Sequence, residues 1–207
     1  MLDQKGFDLW ADGYDRTVGL SDEENTYPFA GYKEILGKIF RTVMEKENAA
    51  VLDVGFGTGT LTSKLYENGC RVYGQDFSKR MAELAAAKMP DAMLVQGDFS
   101  KGLKSPLDEL TYDFIIATYS LHHLTDPQKV IFIRDLYAHL SRNGKLLIGD
   151  VAFETREELD RCAESAGDEW DEDEIYFVYD EMKQVFPSLT FEKISYCAGI
   201  LCLEKDH

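Results

Sequence analysis

The chain has 207 residues, enough for one domain with a sizeable core, and 44% of them are hydrophobic, which excludes an intrinsically disordered chain. No apolar run approaches the ~18 residues that a membrane-spanning helix needs, and the N-terminus shows no export-signal pattern. The formal net charge of −16 disfavours a nucleic-acid ligand, because an acidic surface repels phosphate backbones. We therefore expect a cytoplasmic protein whose partner is a small molecule rather than a nucleic acid or a membrane.

The four cysteines, Cys70, Cys162, Cys197 and Cys202, form no Cys-x-x-Cys pair, and no histidine stands at zinc-ligand spacing beside them. We expect reduced thiols, as is usual in the cytoplasm, and no metal site.

Two helices are predicted before the first strand. An apolar stripe that includes Trp10 and Tyr14 has helical spacing, and a second amphipathic helix is predicted over residues 29–46. We interpret residues 1–46 as an N-terminal helical cap or lid, and residues 47–207 as the main part of one structural domain.

Strands and helices alternate from residue 49 onwards. Strands are predicted at 49–54, 71–76, 92–96, 114–118 and 145–149, with helices at 60–68, 78–89 and 126–140. Strands joined by helices in this rhythm form right-handed crossovers in a doubly wound parallel sheet. The tail differs, with helices predicted at 155–166 and 180–186 and an antiparallel pair of strands at 190–196 and 199–204.

A glycine-rich turn follows the first predicted strand, in the run Val-Leu-Asp-Val-Gly-Phe-Gly-Thr-Gly-Thr at 51–60. Gly55, Gly57 and Gly59 allow a tight turn and close approach to a ligand, and the helix beyond them offers unpaired N–H groups. Thr60 stands where a dinucleotide fingerprint has its third glycine, and the Gly-Lys-Ser/Thr of a phosphate-binding loop is absent. A simple strand–helix turn without a ligand is the alternative.

Acidic residues end the next two predicted strands. Asp76 ends the second strand, where a carboxylate can accept hydrogen bonds from ribose hydroxyls, and Asp98 ends the third. Either acid alone is equally compatible with a helix cap or a solvated loop end. Together with the glycine turn they lie at one sheet edge, which favours a ligand site there.

Taken together, these segments resemble the class I S-adenosylmethionine-dependent methyltransferases. The resemblance rests on the segments 51–59, 74–76, 96–99, 112–117, 120–124 and 142–146. It covers roughly residues 49–151, and the whole chain resembles the YrrT-type branch of bacterial methyltransferases. It implies a Rossmann-like doubly wound sheet of seven strands, mostly parallel with an antiparallel last strand.

The resemblance also implies S-adenosylmethionine as the cofactor and suggests a role for each matching residue. Gly55 and its neighbours would face the methionine part, Asp53 would serve the amino group directly or through water, and Asp76 would hold the ribose. Asp98 would accept from the adenine amino group, with Phe99 beside the ring. The predicted cofactor-binding residues are Tyr14, Asp53, Gly55, Gly57, Gly59, Asp76, Phe77, Asp98, Phe99 and Thr118.

Methyl transfer mainly needs alignment of the acceptor and exclusion of water, because the sulfonium is already an activated leaving group. A general base is needed only when the acceptor arrives protonated. His122 and His123 lie after the fourth strand, and we take His122 as the candidate catalytic residue, with a contact at a helix start as the alternative. The sequence Ala-Thr-Tyr-Ser at 117–120 lacks the Asn/Asp-Pro-Pro-Tyr pattern of nucleobase amine methyltransferases, which favours a small-molecule acceptor.

Other candidate site residues are aromatic or acidic. Tyr14 and Tyr27 are candidates for a lid that closes over the cofactor, and packing of the N-terminal helices is the alternative. Tyr176 is predicted either to line the acceptor pocket or to pack in the core. The acidic run at 168–174 is interpreted as a solvated loop, and a cation-binding role is the alternative.

We therefore predict a methyltransferase that acts on a small molecule and releases S-adenosylhomocysteine. Three alternatives stay open: a cofactor-binding regulatory module without catalysis, a nucleotide-dependent oxidoreductase with an unusual loop, and a protein side-chain methyltransferase. Thr60 argues against the oxidoreductase. Monomer and homodimer are both compatible with the sequence.

Overall fold

A central sheet carries the fold in the computed structural model, which describes residues 25–206. Tyr14, Trp10 and the rest of the predicted first helix lie outside the described residues. The strands are β1 (Ala50–Val54), β2 (Arg71–Asp76), β3 (Met93–Gln96), β4 (Tyr112–Thr118), β5 (Leu140–Phe153), β6 (Phe177–Val178), β7 (Thr190–Lys193) and β8 (Ala198–Glu204). Their order in the sheet is β3-β2-β1-β4-β5-β8-β7, and β6 pairs with β5.

The sheet is parallel from β3 to β5, and β8 runs antiparallel to both β5 and β7. The chain builds outward from β1 to β3 and then returns to β4 on the other side of β1. The connections that leave β1 and β4 therefore lead to helices on opposite faces of the sheet, which opens a crevice at its carboxyl edge, where ligands bind in folds of this type.

Helices cover both faces of the sheet. They are α1 (Tyr32–Val43), α2 (Thr60–Glu67), α3 (Lys79–Lys88), α4 (Asp126–Ala138), α5 (Arg156–Ala166) and α6 (Tyr179–Val185), with short 3₁₀ turns at Phe99–Lys101, Leu107–Glu109, Leu121–His123 and Gly167–Glu169. The Ser78 side chain caps α3, since it accepts from Met81 N. Thr125 is the N-cap of α4, and its backbone N–H donates to the Gln128 side chain in a capping box.

The core lies in two layers, one on each face of the sheet. Successive side chains of a strand point to opposite faces, so β1 sends Val51 into one layer and Leu52 into the other. Every residue of β1 is buried, as expected for a central parallel strand. α1 covers the first layer with Ile35 and Ile39.

The predicted Rossmann-like α/β fold is confirmed, with some differences in the elements. The two-residue strand β6 adds an eighth strand to the predicted seven, and it is too short to show a periodic pattern. β5 begins earlier than predicted and α4 ends earlier, because Leu140 already pairs with Tyr112 of β4. No helix within residues 25–206 combines the length and apolarity needed to cross a membrane.

Candidate functional site

A cavity of about 590 Å³ opens at the carboxyl edge of the sheet. Most of the predicted site residues line it, namely Asp53, Gly55, Gly57, Asp76, Phe77, Asp98, Phe99, Thr118 and His122. Gly59 lies instead against α3, where an added Cβ would come within 3.0 Å of Met89 Cε. Tyr14 is outside the described residues.

The turn after β1 packs directly against the loop after β4. Gly55 has a φ of +74°, and a Cβ on this residue would lie 2.4 Å from Ser120 Cβ. The Ser120 hydroxyl donates to Val54 O at 2.8 Å, which joins the two loops. Gly55 is therefore required both for the left-handed backbone and for the close contact between the loops that form the crevice.

Asp53 presents an unsatisfied carboxylate oxygen in the cavity wall. The side chain is buried, the Thr62 hydroxyl donates to Oδ2, and Oδ1 has no hydrogen-bond partner within residues 25–206. Burial raises the pKa of Asp53 to about 7, and the nearby Asp76 adds to the shift. Since an unsatisfied buried acceptor is costly, this oxygen fits a ligand that brings a hydrogen-bond donor or a positive charge, such as an amino group.

Asp76 at the end of β2 is fixed by two backbone N–H groups. Gly57 N donates to one carboxylate oxygen and Ser78 N to the other, both at 2.8 Å. These two bonds orient the carboxylate, a group that accepts hydrogen bonds from hydroxyl donors, in the wall of the cavity. This geometry fits the predicted ribose contact.

Asp98 caps the short turn after β3. Its Oδ1 accepts from Ser100 N at 3.0 Å, and its Oδ2 lies 3.0 Å from Lys101 Nζ. Partial burial raises the pKa of Asp98, but the hydrogen bonds from Ser100 and Lys101 outweigh it and hold the pKa below its ordinary value. The ring of the adjacent Phe99 stacks on Phe132 at 5.9 Å. Asp98 is therefore a charged acceptor beside an aromatic wall, as an adenine site requires.

Aromatic side chains form the other end of the cavity. Phe29, from the segment before α1, contacts Tyr119 with ring centroids 5.2 Å apart. Tyr27 lines the cavity, stacks on Trp170 at 5.2 Å, and shares a hydrogen bond between hydroxyls with the buried Tyr176. The described part of the predicted cap thus contributes a wall of the site.

His122 lies at this aromatic end with each ring nitrogen facing a carboxylate. Nδ1 is 2.6 Å from Asp150 Oδ1, and Nε2 is 3.4 Å from Glu174 Oε1. Burial lowers the pKa of His122, but the two carboxylates outweigh it and raise the pKa above its ordinary value. The candidate catalytic residue therefore lies in the cavity wall in a strongly polar, buried setting.

The acidic run at 168–174 is not simply a solvated loop, which corrects the sequence interpretation. Glu169, Asp171 and Glu174 all line the cavity, and Glu174 is largely buried and accepts from the Tyr176 hydroxyl at 2.7 Å. Burial raises the pKa of Glu174, although His122 and the bond from Tyr176 oppose the shift. The run has no hydrophobic periodicity, so sequence reasoning had no signal for its inward turn.

Sequence reasoning also missed Asp150 and the backbone conformation of Tyr119. Asp150 is fully buried within the apolar strand β5, and an acid in an apolar strand is a signal that could have drawn attention to it. Tyr119 has a φ of +49°, a left-handed conformation that no local pattern predicted.

Comparisons with known proteins show the family of the chain. A sequence family described as a methyltransferase domain matches residues 51–144. An uncharacterized methyltransferase of Geobacillus sp. (strain WCH70) is 41% identical over 161 residues, which cover 77% of this chain and 72% of that protein. An uncharacterized methyltransferase of Alkaliphilus oremlandii (strain OhILAs) is 32% identical over 210 residues, which cover 96% of this chain and 95% of that protein. The chain belongs to the methyltransferase family.

Solved structures share the fold of this methyltransferase. The DhpI–SAH complex has a TM-score of 0.72 at 16% identity, covering 99% of this chain and 96% of that one. Magnesium protoporphyrin IX methyltransferase from Synechocystis PCC 6803 with bound SAH has a TM-score of 0.68 at 18% identity. The match covers 85% of this chain and 84% of that one. The predicted class I fold is confirmed, and the predicted cofactor agrees with the S-adenosylhomocysteine held by both of these proteins.

Proposed function

We propose that this methyltransferase moves a methyl group from S-adenosylmethionine to a small-molecule acceptor bound at the His122 end of the cavity, and releases S-adenosylhomocysteine. The observation that carries the proposal is that one continuous cavity runs from Asp53 and Asp76 at the glycine turn to Tyr119 and His122 after β4. When bound, the cofactor supplies an activated methyl group on its sulfonium. The protein must then position the acceptor and exclude water.

The residues at the glycine end suit the three parts of the cofactor. Asp53 would hold the amino group, because its Oδ1 needs a donor. Asp76 would accept from the ribose hydroxyls, and Asp98 from the adenine amino group, with Phe99 against the ring. Phe77 and Thr118 complete the wall on this side.

The lining of the cavity supports a small acceptor. Its volume falls within the range of roughly 300–1,000 Å³ that is usual for small-molecule sites. Six of its lining residues within 25–206 are Asp or Glu, and none there is Lys or Arg. Such a lining disfavours polyanionic acceptors and supports a neutral or cationic small molecule.

His122 would serve the acceptor. An acceptor atom that arrives protonated must lose its proton during transfer, and a histidine near it promotes that loss. The Asp150 carboxylate fixes the ring orientation through Nδ1, which leaves Nε2 on the side of Glu174 and the cavity.

A methyl-transfer screen tests the function. The protein is incubated with S-adenosylmethionine and fractionated metabolite pools, and products are identified by mass. We expect S-adenosylhomocysteine to accumulate together with one methylated small molecule. Cofactor binding without turnover in any pool would instead indicate a regulatory module, and methyl label recovered only in protein would indicate a side-chain methyltransferase.

The Asp76→Ala variant tests the cofactor end separately. Loss of charge-assisted hydrogen bonds to the ribose should weaken S-adenosylhomocysteine binding by about 1.5–3 kcal/mol, or roughly 10- to 100-fold, in calorimetry. Asp91→Ala is a matched control, because the Asp91 carboxylate accepts from Tyr66 at an exposed position. Undiminished affinity in Asp76→Ala would remove this residue from the site.

A further inference from the structure

We propose that His122, His123 and Glu174 bind a divalent transition-metal ion at the acceptor end of the cavity. One ligand atom from each residue lies within 4.8 Å of the others, and all three residues line the cavity. The binding of the ion stands on this geometry alone, whereas its effect on an acceptor rests on the proposed function.

The donor set identifies the class of ion. Two imidazoles and one carboxylate suit Zn²⁺, Fe²⁺, Co²⁺ or Ni²⁺, whereas Mg²⁺ and Ca²⁺ prefer oxygen ligands. Bonds of about 2.0–2.2 Å to one tetrahedral ion place two ligand atoms roughly 3.3–3.6 Å apart. His122 Nε2 and Glu174 Oε1 are already 3.4 Å apart. The ligand atoms of all three residues lie within 4.8 Å of one another, so the widest pair needs to approach by at most about 1.5 Å to bind one ion.

Asp150 supplies the outer-shell partner that histidine ligands usually have. Its Oδ1 accepts from His122 Nδ1 at 2.6 Å, and this bond leaves Nε2 as the nitrogen that faces Glu174 at 3.4 Å. A carboxylate behind a histidine fixes the ring and increases the basicity of the ligating nitrogen. The ion would take the place that a proton on Nε2 occupies between His122 and Glu174.

Glu174 is held in place although it belongs to an irregular segment. The next residue, Ile175, donates its N–H to His122 O at 2.8 Å, and its carbonyl accepts from the fully buried Lys129 Nζ. The Tyr176 hydroxyl donates to Glu174 Oε2 at 2.7 Å, which leaves Oε1 facing His122. The carboxylate is thus pre-positioned by contacts on both sides, as a metal ligand should be.

His123 completes the set as a neutral imidazole. Its ring lies 4.3 Å from that of His122 in an edge-on arrangement. Both histidines line the cavity, and a neutral imidazole is the form that coordinates an ion.

Three protein ligands leave at least one coordination position open, as in catalytic rather than structural metal sites. This position faces the cavity, where an oxygen or nitrogen atom of the acceptor can bind. A bound ion lowers the pKa of such an atom, so the acceptor proton would pass to water, while His122 would stay a metal ligand. The acceptor class that follows is a hydroxyl or amine compound that can coordinate a metal.

The test is a metal titration of the full-length protein after treatment with a chelator. Zn²⁺ binding is followed by calorimetry and Co²⁺ binding by the visible absorption of the ion. We expect one tight site in the unaltered protein, and at least a tenfold loss of affinity in Glu174→Gln and in His123→Asn. Asp150→Asn should lose 10- to 100-fold, because an outer-shell partner is removed.

His139→Asn is the matched control, since its Nδ1 bonds to Leu110 O and the residue does not line the cavity. S-adenosylhomocysteine affinity, measured for every variant, checks that the fold is kept. Absence of a tight site, or equal affinity in Glu174→Gln, His123→Asn and His139→Asn, would overturn the inference. If the chelated protein still transfers methyl groups and has no tight site, His122 acts without an ion and the proposed function stands. A tight site without methyl transfer would support the metal site and contradict the proposed function.

Discussion

Asp53 combines a buried carboxylate, an oxygen without a partner within residues 25–206, and a pKa raised to about 7. Only the ionised form attracts the amino group of the cofactor. Below pH 7 the folded protein must first release the Asp53 proton, and so binding of S-adenosylhomocysteine should weaken by up to tenfold per pH unit as the pH falls below about 7. Calorimetry between pH 5.5 and 8.5 in two buffers with different ionisation enthalpies measures both the affinity and the released proton.

The Asp53→Asn variant is the control for this pH dependence. It should bind more weakly at pH 8 and show no proton release, since the amide does not titrate. Asp98 serves as an internal reference, because its pKa lies below its ordinary value and it stays ionised throughout this range. A pH profile shared by the Asp53→Asn variant would contradict the role of Asp53.

The crevice depends on the contact between the loop after β1 and the loop after β4. Gly55 and Gly69 both have positive φ, +74° and +90°, so alanine at either position strains the backbone by about 1–2 kcal/mol. Only at Gly55 does the new Cβ meet Ser120 at 2.4 Å, whereas nothing lies within 4 Å of the Cβ at Gly69. Gly55→Ala should therefore lose about 1–3 kcal/mol more stability than Gly69→Ala, as measured by urea unfolding.

Cofactor affinity should separate the same two variants. A shift of the loop after β1 or β4 displaces the cavity wall, so Gly55→Ala should also weaken S-adenosylhomocysteine binding, while Gly69→Ala leaves it unchanged. Equal losses of stability in both variants would show that the loops adjust without cost and that the close approach is not required.

At the scale of the whole molecule, Tyr27 joins the segment before α1 to the C-terminal half of the chain. Its hydroxyl accepts from Asp171 N at 3.2 Å and shares a hydrogen bond with the Tyr176 hydroxyl, while its ring stacks on Trp170. Tyr27→Phe keeps the stack and removes the hydrogen bonds, which should lower the free energy of unfolding by about 1–3 kcal/mol, since each buried bond contributes about 0.5–1.5 kcal/mol.

Tyr66→Phe is the matched control for Tyr27→Phe. The Tyr66 hydroxyl donates to Asp91 at 2.9 Å in an exposed setting, where water replaces a lost bond, and the change should be within about 0.5 kcal/mol. Urea unfolding of both variants makes the comparison. A loss no larger in Tyr27→Phe than in Tyr66→Phe would mean that this link does not stabilise the molecule.

The amino-acid sequence by itself determined the elements and one end of the site. β1 to β5 and the helices between them follow from local periodicity, caps and turn residues, which act over a few positions along the chain. Asp76 and Asp98 were predicted because the carboxyl ends of parallel strands meet at one edge, so the end of a strand already locates a side chain. The same reasoning brought the glycine turn to this edge.

Only the tertiary structure decided which residues surround His122 at the other end. His122, Asp150 and Glu174 come from three separate parts of the chain, and they meet because β5 lies beside β4 and the segment before β6 returns over that edge. Strand order and the path of an irregular segment depend on contacts between residues far apart in sequence, which no local pattern records. The acidic run turns inward for the same reason. The hydrogen bonds that fix its end, from Ile175 N to His122 O, from Lys129 Nζ to Ile175 O and from the Tyr176 hydroxyl to Glu174, form only in the folded chain.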